Sequence, residues 1–401
     1  MKIVVATIGS RGDVQPYINL CLGLQKAGHD VRLATNPTLC GLVESYGLTC
    51  IPIGPPVDMG IEGARLLEES FNNMWISMLR VMRLGTRLVE EAYPDVLAAI
   101  AGADLVVTSD TGSGVAEAES LGLPWISVTL QPARVPKENP DISALQRLIW
   151  GIFGRMMVLP VNRSRKRLGA PLVTDITEML SSRCVLLPVS QAVAPPDPLW
   201  PDTVNQTGYW FAPPQSEWSP PPDFQAFLAA GEKPIAVTLG VMGSSGKRAP
   251  EAAAIVLDAV QASGVRAVVQ GFNEVLGGMD LPETVYHAGP MPHDWLFDQV
   301  SAIIHHGGFG TTAAALRSGV PSIVIPHVID QFYWGQQVFE LGVGPEPITR
   351  GKLTAAGLGR AITRAMNDEG VRSRAAGLGA AIRAEGDGVE RAVALIEKLN
   401  H

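Results

Sequence analysis

The stretch that most constrains the fold of this chain is residues 302–331, AIIHHGGFGTTAAALRSGVPSIVIPHVIDQ. A short apolar run leads into a glycine turn, and the turn leads into an alanine-rich segment of helical character. Gly319 then ends the helix, and a second apolar run begins at Ser322. Strand, helix and strand in this order predict a parallel sheet, because parallel neighbours need a crossover connection.

The glycine turn in this stretch has the chemistry of an anion site. Gly307, Gly308 and Gly310 let the backbone approach a ligand closely, and a helix start offers unpaired N–H groups. The positive end of the helix dipole adds to this attraction. Thr311 and Thr312 either cap the helix or supply hydroxyl donors. A phosphate is the natural guest of such a turn.

Two histidines stand where the first strand of this stretch ends. His305 lies beside the predicted anion site, and we expect it to hydrogen-bond a phosphate oxygen. His306 should face the opposite way, because side chains alternate along a strand. We therefore predict a function for His305 and interpret His306 as a polar residue at a strand end.

Length and composition indicate more than one globular domain. A chain of 401 residues exceeds one ordinary core, and we expect two domains. Charged residues are 17% and hydrophobic residues 46%, which excludes wholesale disorder, and the net charge of -8 argues against nucleic acid as a partner. The first residues form a strand pattern rather than a signal peptide, so we expect a cytoplasmic protein.

The cysteines give no sign of a metal site or of a disulfide framework. They are Cys21, Cys40, Cys50 and Cys184, which fall in no metal-binding spacing and are few for a chain of this length. We expect all four to be reduced and mostly buried.

Strands alternate with helices in both halves of the chain, which predicts two doubly wound α/β domains. The first covers residues 1–207. Residues 208–222 are rich in proline and aromatic residues without periodicity, and they are the predicted linker. The second domain covers residues 223–401, and its last segment, 389–399, has an apolar face that predicts a docked C-terminal helix.

Two segments of the first half break the alternation. Residues 70–97 and 145–159 are rich in methionine and tryptophan, as adaptable binding surfaces often are. The alternative is that both are ordinary core helices. The second segment is too short to span a bilayer, but the basic residues 163–167 that follow it favour a weak peripheral contact with an anionic membrane surface.

Four motifs in order make the chain resemble a known family. They are GSRGDVQP at 9–16, PHDWLF at 292–297, HHGGFGTT at 305–312 and DQFYWG at 330–335. Together they resemble the sterol glucosyltransferases and the bacterial antibiotic and aglycone glycosyltransferases of the UDP-glycosyltransferase superfamily. The resemblance implies the GT-B fold, in which two Rossmann-like domains face each other across a cleft.

The resemblance also implies a reaction. A hexose passes with inversion from a nucleotide-sugar co-substrate to a hydroxyl of a hydrophobic acceptor, without a metal ion or another cofactor. The donor is a UDP- or dTDP-sugar, with UDP-glucose favoured, and the acceptor is a sterol, a polyphenol or a natural-product aglycone. The sequence leaves the acceptor, the donor base and the oligomeric state open.

Acceptor and donor belong to different domains in this family. The first domain is implied to hold the acceptor, and its candidate contacts are Trp75, Met78 and Met82. Ser10 and Arg11 of the same domain are expected to help hold the diphosphate.

Several donor contacts are implied in the second domain. His305 should touch the diphosphate, and Thr311 and Thr312 should lie at the helix start. Met291 and His293 are implied to contact the base, mainly through their backbone.

The remaining donor contacts come from two further places. Asp330 and Gln331 resemble a pair that hydrogen-bonds sugar hydroxyls, with Trp334 nearby. Gly240 is expected to line the phosphate pocket, although the chain departs from the family beside it, where Val241 replaces the usual serine.

The candidate general base is Asp13, which falls where related plant enzymes have their catalytic histidine. Pro16 prefers the first helical position, which makes Gln15 the cap and leaves Asp13 in an open loop. The alternative is a helix-capping aspartate. Asp110 aligns with the carboxylate that orients the plant histidine, and here it should raise the pKa of Asp13 by like-charge repulsion. His29 is a reserve candidate for the base.

Other functions fit parts of this pattern. Gly308-x-Gly310 with an acid at Asp330 matches a dinucleotide fingerprint and would imply an NAD(P)-dependent oxidoreductase. The acid should end a strand, but Pro326 already ends the strand, so we expect Asp330 in the loop beyond. A sugar-nucleotide epimerase of the same fold and a non-catalytic nucleotide-sugar-binding protein are further alternatives.

Overall fold

The chain forms two compact units in a computed structural model. The residues that it describes are 1–58, 61–63, 65, 74–109, 112–137, 158, 161–163, 165–174, 176–212 and 218–399. The first unit comprises Met1–Asp58, Arg80–Ala212 and Asp387–His401, and the second comprises Met59–Leu79 and Pro213–Gly386.

A seven-stranded parallel sheet forms the centre of the first unit. Its strands are β1 (Lys2–Ala6), β2 (Asp30–Thr35), β3 (Thr49–Pro52), β4 (Leu105–Ser109), β5 (Trp125–Val128), β6 (Val185–Leu187) and β7 (Val204–Gln206). Their order is β3-β2-β1-β4-β5-β6-β7, and each neighbouring pair is parallel. The order reverses between β1 and β4, which makes the carboxyl ends of these strands a topological switch point.

Helices and short turns connect these strands. The helices are α1 (Arg11–Lys26), α2 (Cys40–Ser45), α3 (Met74–Ile100) and α4 (Val115–Leu121), and the 3-10 turns are Pro37–Leu39, Pro132–Arg134 and Ile176–Met179. The helix α3 belongs to this unit from Arg80 onward, whereas its start up to Leu79, with the predicted acceptor residues Trp75 and Met78, falls in the second unit. Ile3, Val4 and Val5 in β1 are fully buried. A central strand can be apolar along its whole length because helices cover both faces of such a sheet.

A five-stranded parallel sheet forms the centre of the second unit. Its strands are β8 (Ile235–Thr238), β9 (Ala267–Gln270), β10 (Val285–Ala288), β11 (Ile303–His305) and β12 (Ser322–Val324), in the order β10-β9-β8-β11-β12. Its helices are α5 (Pro222–Ala229), α6 (Gly240–Ser244), α7 (Ala249–Ser263), α8 (Asn273–Leu276), α9 (His293–Asp298), α10 (Phe309–Ser318), α11 (Ile329–Glu340), α12 (Ala355–Asn367) and α13 (Glu369–Ala384), with a 3-10 turn at Arg350–Lys352. The switch point lies between β8 and β11.

The two sheets share one winding. In each of them the first strand of the unit lies beside the fourth, and the second and third strands lie on its other side. This is the doubly wound arrangement that the alternation of strands and helices predicts. The stretch 302–331 forms β11, α10, β12 and the start of α11, so the prediction of strand, helix and parallel strand is confirmed.

The last helix, α14 (Gly388–Lys398), packs on the first unit, whereas the sequence analysis placed it in the second domain. Its predicted apolar face is buried, and the helix approaches Gly23 of α1 closely. A Cβ at Gly23 would lie 2.3 Å from Cγ1 of Val389. Arg391 donates from Nε to the carbonyl of Thr207 at 2.6 Å. Apolar periodicity predicts that a helix docks, but not which surface receives it.

The segment predicted as the linker, 208–222, is not uniform. Trp210 is buried in the first unit, where its carbonyl accepts from Nδ2 of Asn19 at 2.9 Å. Trp218 packs on Trp295 of the second unit, with 4.8 Å between ring centroids, and α5 begins at Pro222. Residues 213–217 lie outside the described part of the chain.

Two cysteines differ from the sequence expectation. Cys40 and Cys50 form a disulfide, with 5.4 Å between their Cα atoms, so the expectation of four reduced cysteines is wrong for this pair. The helix that begins at Cys40 lies beside β3, which contains Cys50, and this neighbourhood was not visible in the sequence. Cys21 and Cys184 are free and buried, as expected.

Membrane-spanning helices were also sought. Among the residues that the structure describes, no helix combines the length and the apolar character that a bilayer crossing needs.

Candidate functional site

Several of the predicted donor residues lie at the switch point of the second sheet. His305 at the end of β11 pairs in register with Thr238 at the end of β8. The helix α6 begins at Gly240, and α10 begins at Phe309. Ligands of α/β sheets bind at the carboxyl ends of strands where the order reverses, so the sequence and the topology select the same place.

The glycine turn makes a tight entry into α10. Gly307 has a φ of 85°, in the left-handed region, and a Cβ there would lie 2.9 Å from the carbonyl oxygen of Gln331. Gly308 is the N-cap residue, and no side chain caps the helix. The alternative in which Thr311 or Thr312 caps the helix is therefore wrong, because the helix starts too early for either.

The two threonines and Gly310 lie in different surroundings. Thr312 is buried, and its hydroxyl has no hydrogen-bond partner among the described residues. Thr311 is half-buried, while Gly310 is exposed and has open space where a Cβ would lie. The accessible part of the turn is therefore its backbone at the first residues of α10.

His305 is fully buried at the end of β11. Its Nδ1 accepts from the backbone N–H of Gly307 at 3.2 Å, so this N–H is occupied inside the turn. Burial lowers the pKa of His305 to about 3, and the neighbours His306 and His293 act in the same direction. The ring is neutral, and a direct contact with phosphate stays a prediction that requires the turn to move.

His306 has a packing role that the sequence did not predict. Its ring lies between the turns that follow β8 and β11. A Cβ at Gly240 would lie 3.1 Å from Cε1 of His306, and a Cβ at Gly308 would lie 2.5 Å from its Nε2. Burial lowers the pKa of His306 to about 4, although the backbone of Thr238 opposes this shift.

His327 is a further histidine of this cluster, and the sequence analysis missed it. It follows β12 and is buried, and a Cβ at Gly243 of α6 would lie 2.4 Å from its Nε2. Burial lowers the pKa of His327 to about 3, helped by Arg350 and His306. Its only signal in the sequence is a histidine three residues after the end of a strand, at the edge where His305 and His306 also lie.

The pair predicted to hold the sugar lies in the first turn of α11. Asp330 is half-buried in this helix, not in a loop as predicted from Pro326. It also does not end β12, which counts against the dinucleotide fingerprint. Gln331 accepts through Oε1 from the backbone N–H groups of His327 at 2.8 Å and Val328 at 3.2 Å. The side-chain amide oxygen of Gln331 therefore accepts hydrogen bonds from backbone N–H groups at the start of its own helix.

Trp334 lies in the core rather than at the surface of the site. It is 1% exposed, and its ring packs on Phe309 with 5.7 Å between centroids. The packing on Phe309 supports the start of α10, and the expectation that Trp334 lies near the sugar stays a prediction. Its position three residues after Gln331 brings it to the inner face of the helix.

Met291 and His293 lie where the chain enters α9. Met291 packs against the apolar cluster that includes Leu296, and the ring of His293 stacks on Phe297 at 4.7 Å. The preceding loop is tied to the end of β9, because Nε2 of Gln270 donates to the carbonyl of Gly289 at 3.2 Å. The proposed backbone contacts of Met291 and His293 stay predictions.

In the first unit, Asp13 belongs to a capping box. The helix α1 begins at Arg11, and Ser10 is its N-cap. Oδ2 of Asp13 accepts from the backbone N–H of Ser10 at 2.7 Å and from its hydroxyl at 2.9 Å. Gln15 is therefore not the cap, and Pro16 lies inside the helix.

Asp13 thus caps the start of α1, which was the alternative interpretation of this residue from the sequence. The Ser-x-x-acid spacing satisfies free N–H groups at the helix start, and this outweighs the preference of proline for the first turn. Asp13 is half-buried, while Arg11 is exposed. A carboxylate accepts about four hydrogen bonds, more than the two that Ser10 donates, and the role of Asp13 as a base stays a prediction.

Several predicted residues cannot be placed. Asp110 lies outside the described residues, as do the side chains of Trp75, Met78 and Met82 in α3 and nearly all of 145–159. The reserve base His29 lies before β2, with its Nε2 3.3 Å from Oε1 of Glu397. This is the amino edge of the sheet, opposite to Ser10 and Asp13.

Glu117 is a buried carboxyl group that the sequence analysis missed. It is 1% exposed in α4, and its Oε2 accepts from the backbone N–H of Gly114 at 3.1 Å. Burial raises the pKa of Glu117 to about 7, opposed by backbone hydrogen bonds and by Arg165. Gly114 packs against Ala6, so this group lies near the switch point of the first sheet.

Comparisons with known proteins agree with the motifs. Residues 3–137 match the glycosyltransferase family 28 N-terminal domain, and residues 255–397 match the C-terminal domain of the erythromycin biosynthesis protein CIII-like family. The sterol 3-beta-glucosyltransferase of Aspergillus clavatus is 32% identical over 428 residues. That match covers 100% of this chain but 30% of the relative, so the chain spans less than a third of that protein's length.

Solved structures of glycosyltransferases share the fold. The glycotransferase of kitacinnamycin has a TM-score of 0.74 at 20% identity, with coverage of 100% of this chain and 99% of that chain. The glycosyltransferase VinC in complex with dTDP has a TM-score of 0.72 at 18% identity, with the same coverage. The fold is that of GT-B glycosyltransferases. The predicted resemblance to sterol glucosyltransferases and antibiotic glycosyltransferases is confirmed.

The three neutral histidines make the second unit sensitive to acid. Their pKa values in the fold are about 3 for His305, about 4 for His306 and about 3 for His327, against 6.5 for an unperturbed imidazole. As the pH falls, the histidines of the unfolded chain therefore bind protons before those of the folded protein. The contribution of these rings to the free energy of unfolding is complete above pH 6.5 and is lost as the pH falls toward 4. Within this range each ring lowers the free energy of unfolding by about 1.4 kcal/mol per pH unit.

We expect the free energy of unfolding, measured by urea titration, to fall by several kcal/mol from about pH 7 to about pH 5. The raised pKa of Glu117 acts with the opposite sign, because its contribution is lost as the pH rises, so the series is run in Glu117→Gln. His327→Leu in this background should flatten the slope by about a third. A slope that is the same with and without His327 would contradict the prediction.

Proposed function

We propose that this protein is an inverting glycosyltransferase that moves a hexose from a nucleotide sugar to a hydroxyl of a hydrophobic acceptor. The observation that carries the proposal is the glycine turn at the switch point of a fold that is similar over its full length to glycosyltransferases. UDP-glucose is the favoured donor, because the curated relatives are named as glucosyltransferases. A dTDP-sugar is the alternative, since VinC is described with dTDP.

The donor diphosphate is proposed to bind at the start of α10. This helix has ten residues, and the N–H groups at its first turn have no partner within the helix. Gly310 is exposed there, whereas the N–H of Gly307 is already taken by His305. Backbone donors and the helix dipole can neutralise part of the diphosphate charge, so we propose binding without a metal ion. Asp330 and the amide nitrogen of Gln331 are proposed to bind the sugar hydroxyls.

The chemical step is a single displacement. The acceptor oxygen bonds to the anomeric carbon, the bond from that carbon to the diphosphate breaks, and the hydroxyl proton passes to the carboxylate of Asp13. One displacement inverts the configuration at the anomeric carbon. The acceptor is proposed to be a sterol, a polyphenol or another largely apolar aglycone, as the name of the fungal relatives suggests.

The first test is donor binding without metal. Calorimetry with UDP and with dTDP should show saturable binding that is unchanged by EDTA, because backbone N–H groups replace a cation. NADH should show none. Binding that disappears with EDTA and returns with magnesium would contradict the pocket, and saturable NADH binding would favour an oxidoreductase.

The second test concerns Asp13. Asp13→Asn should keep the fold and the donor Kd, because the amide oxygen can still accept from the N–H of Ser10. It should lower kcat by about 10²–10⁴-fold, because the proton acceptor is lost. Ser10→Ala is the matched control. It removes the hydroxyl contact to Asp13 but keeps the carboxylate, so it should lower stability by about 1 kcal/mol. Because Ser10 is also a predicted diphosphate contact, the donor Kd of this variant is measured too, and its kcat at saturating donor should fall much less than that of Asp13→Asn.

Both outcomes of this comparison are informative. Near-normal turnover in Asp13→Asn would overturn the assignment and leave Asp110 as the next base to test. An equal loss of kcat in Asp13→Asn and Ser10→Ala would mean that both variants act through the structure of the capping box and that Asp13 is not the base.

The third test concerns the acceptor. We propose that Trp75, Met78 and Met82 of α3 contact it, on the evidence of their composition alone. Trp75→Ala or Met78→Ala should raise the KM for a sterol or flavonoid acceptor by about tenfold while leaving the KM for the donor unchanged, because only one ligand loses contact area. Equal changes in both constants would favour core residues.

A further inference from the structure

We propose that His306 is a positioning residue, a spacer that fixes the distance between the turn at Gly240 and the turn at Gly308, with His327 supporting it from the other end of α6. The inference deepens the proposed function and rests on it, because these two turns are the proposed lining of the diphosphate site. Neither histidine is proposed to touch the donor.

The contacts of His306 come from both turns at once. A Cβ at Gly240 would lie 3.1 Å from Cε1 and 3.2 Å from Nδ1 and Nε2 of the ring. At Gly308 the three nearest atoms to a Cβ all belong to His306, at 2.5, 3.3 and 3.3 Å. The ring therefore fills the space between two glycines that follow the neighbouring strands β8 and β11. It could not move away from one without approaching the other.

The support from His327 lies one helical turn along α6. A Cβ at Gly243 would lie 2.4 Å from Nε2 of His327, and Gly243 follows Gly240 by three residues. Residues three apart lie on the same face of a helix. Thus α6 rests with one face on two imidazoles, which come from the ends of β11 and β12.

The chemistry of the rings suits a spacer. Nδ1 of His306 is buried without a hydrogen-bond partner among the described residues, while the backbone of Thr238 interacts with the ring. A neutral ring can pack directly on backbone, whereas a buried charge would need a partner. The packing on the two glycines depends on the shape of the ring.

A double-mutant cycle on His306 and Gly308 tests the spacer. Gly308 has φ near −62°, which alanine adopts easily, so Gly308→Ala adds no backbone strain, and the part of its effect that runs through the ring should disappear when the ring is absent. We expect His306→Ala and Gly308→Ala each to weaken binding of UDP or dTDP by about tenfold in calorimetry, and the double variant by about tenfold rather than by the hundredfold product. The acceptor KM should stay unchanged in all three.

A second variant separates shape from hydrogen bonding. His306→Leu keeps nearly the same volume without nitrogen atoms, so its nucleotide Kd should stay within about threefold of the wild type. Gly377→Ala is the control, because Gly377 lies in α13 with open space where a Cβ would be. It should leave the Kd unchanged.

The outcomes divide clearly. The spacer would be overturned if the effects of the two single variants multiplied in the double variant, or if the single variants lowered only the melting temperature. It would also be overturned if His306→Leu bound nucleotide as weakly as His306→Ala. If the wild type binds neither UDP nor dTDP, the proposed function fails and this inference falls with it. If the wild type binds and the singles keep its Kd, only the spacer fails.

Discussion

The second unit depends most on the close packing of neutral imidazoles against glycine backbone at one edge of its sheet. A Cβ on Gly240, Gly243 or Gly308 would approach a histidine ring to between 2.4 and 3.1 Å. Any larger residue at these positions would push the turns apart. The rings in turn must stay uncharged, because a buried imidazolium needs a partner that the edge does not supply. The close approach thus requires glycine at these positions and an uncharged side chain facing them.

The arrangement of strands could be predicted from the sequence because it follows from short-range rules. Alternating strands and helices require parallel pairing, and right-handed crossovers then leave few orders for the strands. The glycine turn and the end of α10 at Gly319 were predicted for the same reason, since each depends on the conformation of one or two residues. The contact of His327 with Gly243, the disulfide and the surface that receives α14 join distant parts of the chain. No local pattern encodes such pairs.

Asp13 shows how two local rules can conflict. Pro16 favours a late helix start, and Ser10 with Asp13 favours an early one. The early start wins because the carboxylate accepts from both the N–H and the hydroxyl of Ser10, while a proline in the sixth position costs one helical hydrogen bond. Gly9 fits this result, since a Cβ there would lie 2.6 Å from Oδ2 of Asp13. The residues of the box were visible in the sequence, but its weight against proline was not.

The two units share one sheet topology, but the helix starts at their switch points differ in charge. At the switch point of the first sheet the helix start carries its own carboxylate, Asp13, which makes it less attractive to an anion and which is the proposed proton acceptor. At the switch point of the second sheet the helix start has no acidic residue in its first turn, so its N–H groups stay available for an anion. The proposed reaction needs both properties, because the leaving diphosphate gains negative charge while the acceptor hydroxyl loses a proton. A carboxylate at the start of α10 would repel the diphosphate, whereas on α1 it can accept the proton without weakening the N–H groups of the other unit.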